Sequence, residues 1–146
     1  MSFLLDTNVI SEWVKPQPNP NVVSWLARLG AVEPEDRVFL SVVSFAEIRR
    51  GIELMERGRR RERLARWLAD DLSDRFKYRI LGIGQHIAET WGIVMGRAQK
   101  AGATLGAMDA FIAATAEAHR LTLVTRNTRD FAIVGIPLLN PWDRKS

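Results

Sequence analysis

The segment Phe3-Leu4-Leu5-Asp6-Thr7-Asn8 joins a short apolar run directly to three polar residues. An unbroken apolar run of this kind predicts a strand that is buried on both faces. Asp6 or Thr7 is expected to cap the short helix that begins near Asn8. Because parallel sheets hold functional groups at the carboxyl ends of their strands, Asp6 is also a candidate site residue.

Three further segments predict additional strands of the same sheet. They are residues 37–41, 121–125 and 136–140, and they are mainly apolar rather than alternating. Pro137 suggests that the last strand lies at a sheet edge, and residues 78–83 are ambiguous between strand and loop. Helices are predicted between the strands. We therefore predict an α/β fold of three layers, with helices on both faces of a mainly parallel sheet of four to five strands.

Helical spacing of apolar residues predicts the layers that cover the sheet. Val22, Val23, Leu26 and Leu29 mark one helix, which is expected to end near Gly30. The other predicted helices are one with the apolar stripe Phe45, Ile48, Ile52 and Met55, and those over residues 59–72, 85–101 and 105–120. Residues 15–21 contain three prolines and are predicted to form a loop. We expect one domain over residues 1–146.

The composition restricts the kinds of site that the chain can hold. Its 146 residues are 47% hydrophobic and 26% charged, which is typical of a globular protein. The absence of cysteine excludes disulfides and thiolate metal sites. No apolar run approaches the roughly 20 residues of a membrane helix, and the N-terminus lacks the basic start of a signal peptide. We therefore expect a soluble, cytoplasmic protein with no membrane partner.

The net charge of +4 comes with a strong bias toward arginine, which supplies 17 of the 21 basic residues. The planar guanidinium group suits phosphate, so an anionic partner is favoured. A basic chain that nonetheless places carboxylates in its most apolar segments is expected to use those carboxylates.

Asp109 is the clearest candidate for a functional carboxylate. Its neighbours one helical turn away are Leu105, Ile112 and Ala113, in a stretch with few residues suited to water. A carboxylate buried there without a partner would cost several kcal/mol or would have to stay protonated. Capping of the helix start is the alternative explanation, and a functional role is favoured over it.

Glu47 is the second candidate in a predicted helix. It falls off the apolar stripe of that helix, so a solvated surface glutamate is the plain alternative. Gly51, one turn later, weakens that explanation slightly and leaves both alternatives open. A glycine inside a helix costs about 1 kcal/mol relative to alanine, which suggests that something approaches closely there.

The segment Thr125-Arg126-Asn127-Thr128-Arg129-Asp130-Phe131 follows the third predicted strand. Its Asn127 and Asp130 are common turn formers, but the segment also opens where ligands of parallel sheets bind. Oxygen groups thus follow three strands. His86 and His119 are isolated and are expected to be surface or satisfied residues. An all-oxygen site suits Mg²⁺ or Mn²⁺ rather than zinc, and such a cation can activate water for phosphodiester cleavage.

Four sequence segments carry a family resemblance. They are Leu4-Leu5-Asp6-Thr7-Asn8-Val9-Ile10-Ser11 and residues 41–51, 108–114 and 123–131. In this order and spacing they resemble the PIN-domain family, especially its VapC-type and FitB-like toxins. The resemblance implies a PIN-like fold and an Mg²⁺-dependent endoribonuclease, in which Mn²⁺ can substitute. It also implies a toxin that a cognate VapB- or FitA-like antitoxin neutralises, a homodimer, and contact with operator DNA only through the antitoxin.

The resemblance also assigns roles within the site. Asp6, Glu47 and Asp109 fall on the acidic positions of the family and are implied metal ligands. The fourth position is open between Asn127 and Asp130, because many relatives have aspartate where this chain has Asn127. An amide can coordinate but supplies no charge, so the number of metals is open too. Thr125 is implied to orient the attacking water or to hold a supporting hydrogen bond.

Several alternatives stay open at this point. The arginine-rich run over residues 57–66 is either a solvated helix face or an RNA contact, and the apolar face of the same hairpin, including Trp67 and Leu68, is a candidate seat for an antitoxin helix. A phosphatase with an aspartyl nucleophile is disfavoured because Asn8 stands where a second aspartate is usual. A catalytically weak PIN module that only binds RNA or a partner is the other alternative.

Overall fold

Five parallel strands form a sheet in the computed structural model, which describes residues 1–31 and 34–143. The strands are β1 (Phe3–Leu5), β2 (Val38–Ser41), β3 (Ile80–Leu81), β4 (Thr122–Val124) and β5 (Leu138–Leu139), and their order in the sheet is β3-β2-β1-β4-β5. Each neighbouring pair is parallel. The predicted α/β class and the parallel sheet are therefore confirmed, with β5 at an edge as Pro137 suggested.

Helices connect the strands and cover the sheet. They are α1 (Thr7–Ser11), α2 (Pro20–Ala27), α3 (Val42–Glu53), α4 (Arg59–Arg66), α5 (Ser73–Arg75), α6 (Gln85–Lys100), α7 (Ala107–His119) and α8 (Thr128–Phe131). A π-helical segment, Trp67–Leu72, joins α4 to α5. No helix among the described residues is long and apolar enough to cross a membrane.

Two apolar cores lie on opposite faces of the sheet, because successive side chains of a strand point to opposite faces. In β1, Leu4 packs with α6 and α7 on one face. Phe3 and Leu5 pack on the other face with residues from α1, α2 and the segment after α4. All three β1 side chains are at most 4% exposed. The predicted three-layer arrangement is confirmed.

The central position of β1 determines where a site can form. β1 lies between β2 and β4, and its residues Phe3 and Leu4 pair with Val38 and Phe39 of β2. In a parallel sheet the carboxyl ends of neighbouring strands meet at one edge. The residues that follow β1, β2 and β4 are therefore brought together from distant parts of the chain.

Two local predictions need correction, and one open alternative is decided. The proline-rich loop ends at Asn19, because the Asn19 side chain caps α2 and Pro20 occupies the first helical position, where a missing N–H costs nothing. Within residues 78–83 the strand is limited to Ile80–Leu81, which pairs with β2. The helix predicted from residue 105 begins at Ala107 with Gly106 as its N-cap, so Leu105 precedes it.

Candidate active site

Asp6 lies at the carboxyl end of β1 and is 3% exposed. Its Oδ1 accepts the backbone N–H of Thr7 at 2.8 Å, so the residue caps α1 as the sequence predicted. Its Oδ2 accepts the Thr125 hydroxyl at 2.8 Å and the Asn8 side-chain amide at 3.4 Å. Asp6 therefore caps α1 and also belongs to a cluster of polar residues.

Burial raises the pKa of Asp6 to about 6. The hydrogen bonds from Thr125 and Thr7 act in the opposite direction and lower it, whereas the negative charges of Asp109 and Glu47 raise it further. These charge effects show that the three carboxylates lie near one another. A cation among them would relieve both the burial cost and the mutual repulsion.

Glu47 is held at the site through Thr7. The Thr7 hydroxyl donates to Glu47 Oε1 at 2.7 Å and lies 2.8 Å from the hydroxyl of Ser44, which is fully buried. Glu47 and Ser44 lie one turn apart on α3, and Thr7 is the first residue of α1. Glu47 is therefore a half-buried member of the cluster rather than a freely solvated surface glutamate.

Asp109 lies in the first turn of α7, half-buried. Gly106 is the N-cap and no side chain caps the helix, so the capping explanation for Asp109 does not hold. Burial raises the pKa of Asp109, and the charges of Glu47 and Asp130 raise it further. The negative charges of Asp6, Glu47, Asp109 and Asp130 therefore lie in one region of the molecule.

Thr125 and the two residues proposed for the fourth position are placed differently. Thr125 is fully buried; its hydroxyl donates to Asp6 and accepts the backbone N–H of Asn127 at 3.0 Å. Asn127 therefore reaches the cluster through its backbone, while its side chain is exposed. Asp130 is exposed in the first turn of α8, and its charge acts on Asp109.

The donor set fits a hydrated hard cation. All candidate ligands offer oxygen, which Mg²⁺ and Mn²⁺ prefer. Among residues 1–31 and 34–143 no three Asp, Glu, His or Cys side chains are arranged so that they could together hold a metal ion. Mg²⁺ usually retains several waters and is bound through one or two carboxylates, so an open acidic cluster suits it.

The structure also tests the other residues that the sequence singled out. His86 and His119 are exposed, as expected. The close approach predicted at Gly51 is wrong within this chain, because a Cβ added there meets no atom within 4 Å. Thr7 and Ser44 were not predicted as site residues. Both nevertheless lie in segments that carry the family resemblance, Thr7 directly after Asp6 and Ser44 three residues before Glu47.

A groove next to Glu47 runs between α1, α3 and α4. Its apolar lining includes Met55, Leu64 and Trp67, and Arg60 also lines it. Leu68 is 5% exposed and belongs to the core. The hypothesis that Leu68 is part of a docking surface for an antitoxin helix is therefore wrong. Within the arginine-rich run all arginines are exposed except Arg61, which is half-buried and pairs with Glu53 at 3.0 Å.

Comparison with known proteins gives three kinds of match. The PIN domain family matches residues 3–136. Toxin FitB of Neisseria gonorrhoeae is 40% identical over 140 residues, which cover 96% of this chain and 98% of that protein. VapC ribonuclease Y4jK of Sinorhizobium fredii is 32% identical over 141 residues, covering 97% and 98%. A solved structure of FitAB bound to a DNA fragment superposes with a TM-score of 0.90 at 35% identity, over 99% of this chain and 98% of that chain.

Proposed function

Because this chain belongs to the PIN-domain family, we propose that it is a metal-dependent endoribonuclease that acts as the toxin of a type II toxin–antitoxin pair. The observation that carries the proposal is the meeting of Asp6, Glu47 and Asp109, whose charges act on one another at the carboxyl end of the parallel sheet. Relatives that match nearly the whole chain are named as a toxin and as a ribonuclease, which supports the same function.

Asp6, Glu47 and Asp109 would hold the cation, which we propose to be Mg²⁺ with Mn²⁺ as a substitute. When bound, such a cation supplies an activated water and stabilises charge on the leaving oxygen of a phosphodiester. The protonation state of Asp6 decides whether its carboxylate can bind the cation. Asp6 must lose its proton to bind a cation, and its pKa of about 6 allows this at neutral pH.

The surrounding residues orient these carboxylates. Thr125 and the Thr7 backbone hold the two oxygens of Asp6, and the Thr7 hydroxyl holds Glu47. Such supporting bonds around ligands fix ligand geometry before a cation or substrate arrives. Among the alternatives, the phosphatase is disfavoured further because Asn8 donates to Asp6 rather than offering a second carboxylate.

We propose the same partners that the resemblance implies. These are an RNA substrate, a VapB- or FitA-like antitoxin, a second copy of the chain, and operator DNA reached through the antitoxin. The solved structure of FitAB bound to a DNA fragment supports the antitoxin and the DNA, since that structure superposes on almost the whole chain. Co-expression with the neighbouring open reading frame, followed by mass measurement of the purified assembly, tests the antitoxin and the dimer.

The activity test uses purified protein that is free of antitoxin. We expect RNA cleavage with Mg²⁺ or Mn²⁺ and no cleavage with EDTA; cleavage that persists in EDTA contradicts the mechanism. Asp109→Asn is expected to abolish both cleavage and growth inhibition on expression while the protein stays folded. Glu117→Gln on the same helix is the matched control, because it removes a charge that pairs with Arg97 outside the cluster.

A folded Asp109→Asn protein that remained fully toxic would remove Asp109 from the site. A wild-type protein that binds RNA and never cleaves it would favour the weak binding module instead. The RNA target is identified separately, by mapping new 5′ ends in cellular RNA after brief induction of the wild type and of Asp109→Asn.

A further inference from the structure

Thr7 contacts two carboxylates of the cluster through two different donors. Its backbone N–H donates to Asp6 Oδ1 at 2.8 Å, and its hydroxyl donates to Glu47 Oε1 at 2.7 Å. Asp6 and Glu47 come from different parts of the chain, since one follows β1 and the other lies in α3. One residue therefore sets the position of both.

The direction of each hydrogen bond follows from the chemistry of the groups. The Thr7 hydroxyl carries a single proton and donates it to Glu47 Oε1. The Thr7 oxygen, 2.8 Å from the Ser44 hydroxyl, can then only accept from Ser44. Ser44 is fully buried, so Thr7 replaces the water partner that its hydroxyl would otherwise have. The result is a directed chain, Ser44 to Thr7 to Glu47.

The Thr7 hydroxyl has no role in starting its own helix. Asp6 is the N-cap of α1 and accepts the Thr7 N–H, and the N–H groups of Val9 and Ile10 bond to the Asp6 carbonyl. The hydroxyl is thus not needed as a capping acceptor. Its position toward α3 is explained by Glu47 and Ser44 alone.

We propose that Thr7 is a positioning residue, with Ser44 orienting its hydroxyl, that holds Glu47 in a fixed relation to Asp6 for binding a divalent cation. This inference rests on the proposed metal-dependent function. It predicts that removal of one hydroxyl weakens cation binding even though Thr7 itself contributes no ligand charge.

The test measures Mn²⁺ affinity of the full chain by calorimetry, without RNA, alongside kcat and KM for RNA cleavage. Thr7→Val keeps the shape and removes the hydroxyl, and we expect it to weaken Mn²⁺ binding by about 10- to 100-fold, the usual loss for a residue that supports a metal ligand. Thr7→Ser restores most of the affinity because it keeps the donor. With Mn²⁺ saturating, KM for RNA stays near wild type in both variants.

Thr115→Val is the matched control. Its hydroxyl donates a 2.8 Å bond inside α7, to the carbonyl of Phe111. Thr115 is fully buried, whereas Thr7 is half-buried, so the control removes the more buried hydroxyl of the two. This variant is expected to bind Mn²⁺ as the wild type does. Equal losses of affinity in Thr115→Val and Thr7→Val would overturn the proposal, because they would show a general effect of losing a buried hydroxyl.

Ser44→Ala provides a second variant, since alanine is readily accommodated in a helix. Alone it should weaken Mn²⁺ binding less than Thr7→Val, and in the Thr7→Val background it should cause no further loss. Full additivity of the two losses would overturn the directed chain, as would wild-type affinity in a folded Thr7→Val protein.

The outcomes separate this proposal from the proposed function. A wild type that binds Mn²⁺ but cleaves no RNA defeats the nuclease assignment, while loss of Mn²⁺ affinity in Thr7→Val still supports the positioning role. A wild type that cleaves RNA with Mg²⁺ while Thr7→Val binds Mn²⁺ normally defeats the positioning role alone. A wild type that binds no Mn²⁺ overturns the positioning role directly.

Discussion

Thr125 and Asp6 are 119 residues apart in the chain, and the hydroxyl of one donates a 2.8 Å hydrogen bond to the carboxylate of the other. The register of the sheet produces this contact. Leu5 pairs with Val124, and the backbone N–H of Asp6 donates to the Val124 carbonyl at 2.9 Å. Asp6 directly follows Leu5, and Thr125 directly follows Val124. The two residues therefore lie side by side at the carboxyl ends of β1 and β4.

Removal of the Thr125 hydroxyl should shift the acid limit of activity. This hydrogen bond lowers the pKa of Asp6, so Thr125→Val is expected to raise that pKa above about 6 and to lower the rate near neutral pH. A lost bond to a charged group costs about 1.5–3 kcal/mol. Thr125→Ser should behave as wild type. The measurement is the pH profile of kcat/KM, and an unchanged acid limb in Thr125→Val would contradict the role of this bond.

Asp6 should make activity and stability change in opposite directions with pH. Its pKa is raised from 3.8 to about 6 in the folded protein, so the ionised form opposes folding at neutral pH. As the pH falls from about 6 toward 3.8, folded Asp6 takes up a proton that unfolded Asp6 does not, and its contribution to stability improves. Activity falls over the same range because protonated Asp6 no longer binds a cation.

Thermal unfolding of wild type and Asp6→Asn at pH 7, 6 and 5 tests this linkage. We expect Asp6→Asn to be the more stable protein at pH 7, with the difference shrinking as the pH falls. Asp74→Asn is the control, because it removes an exposed acid on α5 that lies outside the cluster. A difference between wild type and Asp6→Asn that stays constant over this range would refute the shifted pKa.

Asp130 rather than Asn127 is expected to complete the acidic cluster. The charge of Asp130 acts on Asp109, whereas Asn127 contributes its backbone N–H to Thr125, which any residue except proline retains. Asp130→Asn should therefore weaken Mn²⁺ binding more than Asn127→Ala does. Calorimetry on the two variants decides between them, and the reverse order would assign the fourth position to the Asn127 side chain.

Gly51→Ala should stabilise the protein by about 0.5–1 kcal/mol, the usual difference between the two residues inside a helix. Gly51 is exposed in α3 and an added Cβ has open space around it. RNA cleavage by the isolated protein should not change. Gly135→Ala is the contrasting variant, because φ there is +82° and alanine would be strained. Chemical denaturation of both variants measures the change in the free energy of unfolding. Destabilisation by Gly51→Ala would contradict the prediction that an added Cβ is accommodated there.

Arg60 and Arg63 are the best placed residues of the arginine-rich run for contact with RNA. Both are exposed on α4, and Arg60 lines the same groove as Glu47. Replacement of both by glutamine should raise KM for RNA with kcat retained, and should reduce the salt dependence of binding by about 0.7 per lost phosphate contact on a single strand. Arg28→Gln, on the α2 side of the molecule, is the control. An unchanged salt dependence in the double variant would show that this face of α4 is solvated and does not contact RNA.

Two carboxylates of the site, Asp6 and Asp109, were predictable because each interrupts an apolar pattern. Asp109 stands among apolar residues of a helix, and Asp6 ends an apolar strand. The general rule that ligands meet at the carboxyl ends of parallel strands accounts for Asp6, whereas Asp109 lies at the start of α7 and follows no strand. The structure places both in one cluster with Glu47, and charge effects on their pKa values link all three.

The hydroxyl groups and the smallest strand could not be predicted in the same way. Thr7 and Ser44 lie near helix starts, where hydroxyl residues are common for local reasons. Their contact depends on how α1 and α3 pack, which no local pattern encodes. Likewise, β3 has two half-buried residues, and its strand conformation follows from pairing with β2.

The position of β4 beside β1 has a consequence for protein synthesis. A growing chain contains Asp6 and Glu47 early, but Thr125 is made 119 residues after Asp6, together with the strand that pairs with β1. Parallel pairing over such sequence distance also forms slowly. We expect a nascent chain to be inactive toward the message that encodes it until β4 and Thr125 have left the ribosome, because the candidate site is incomplete before they pair with β1 and Asp6.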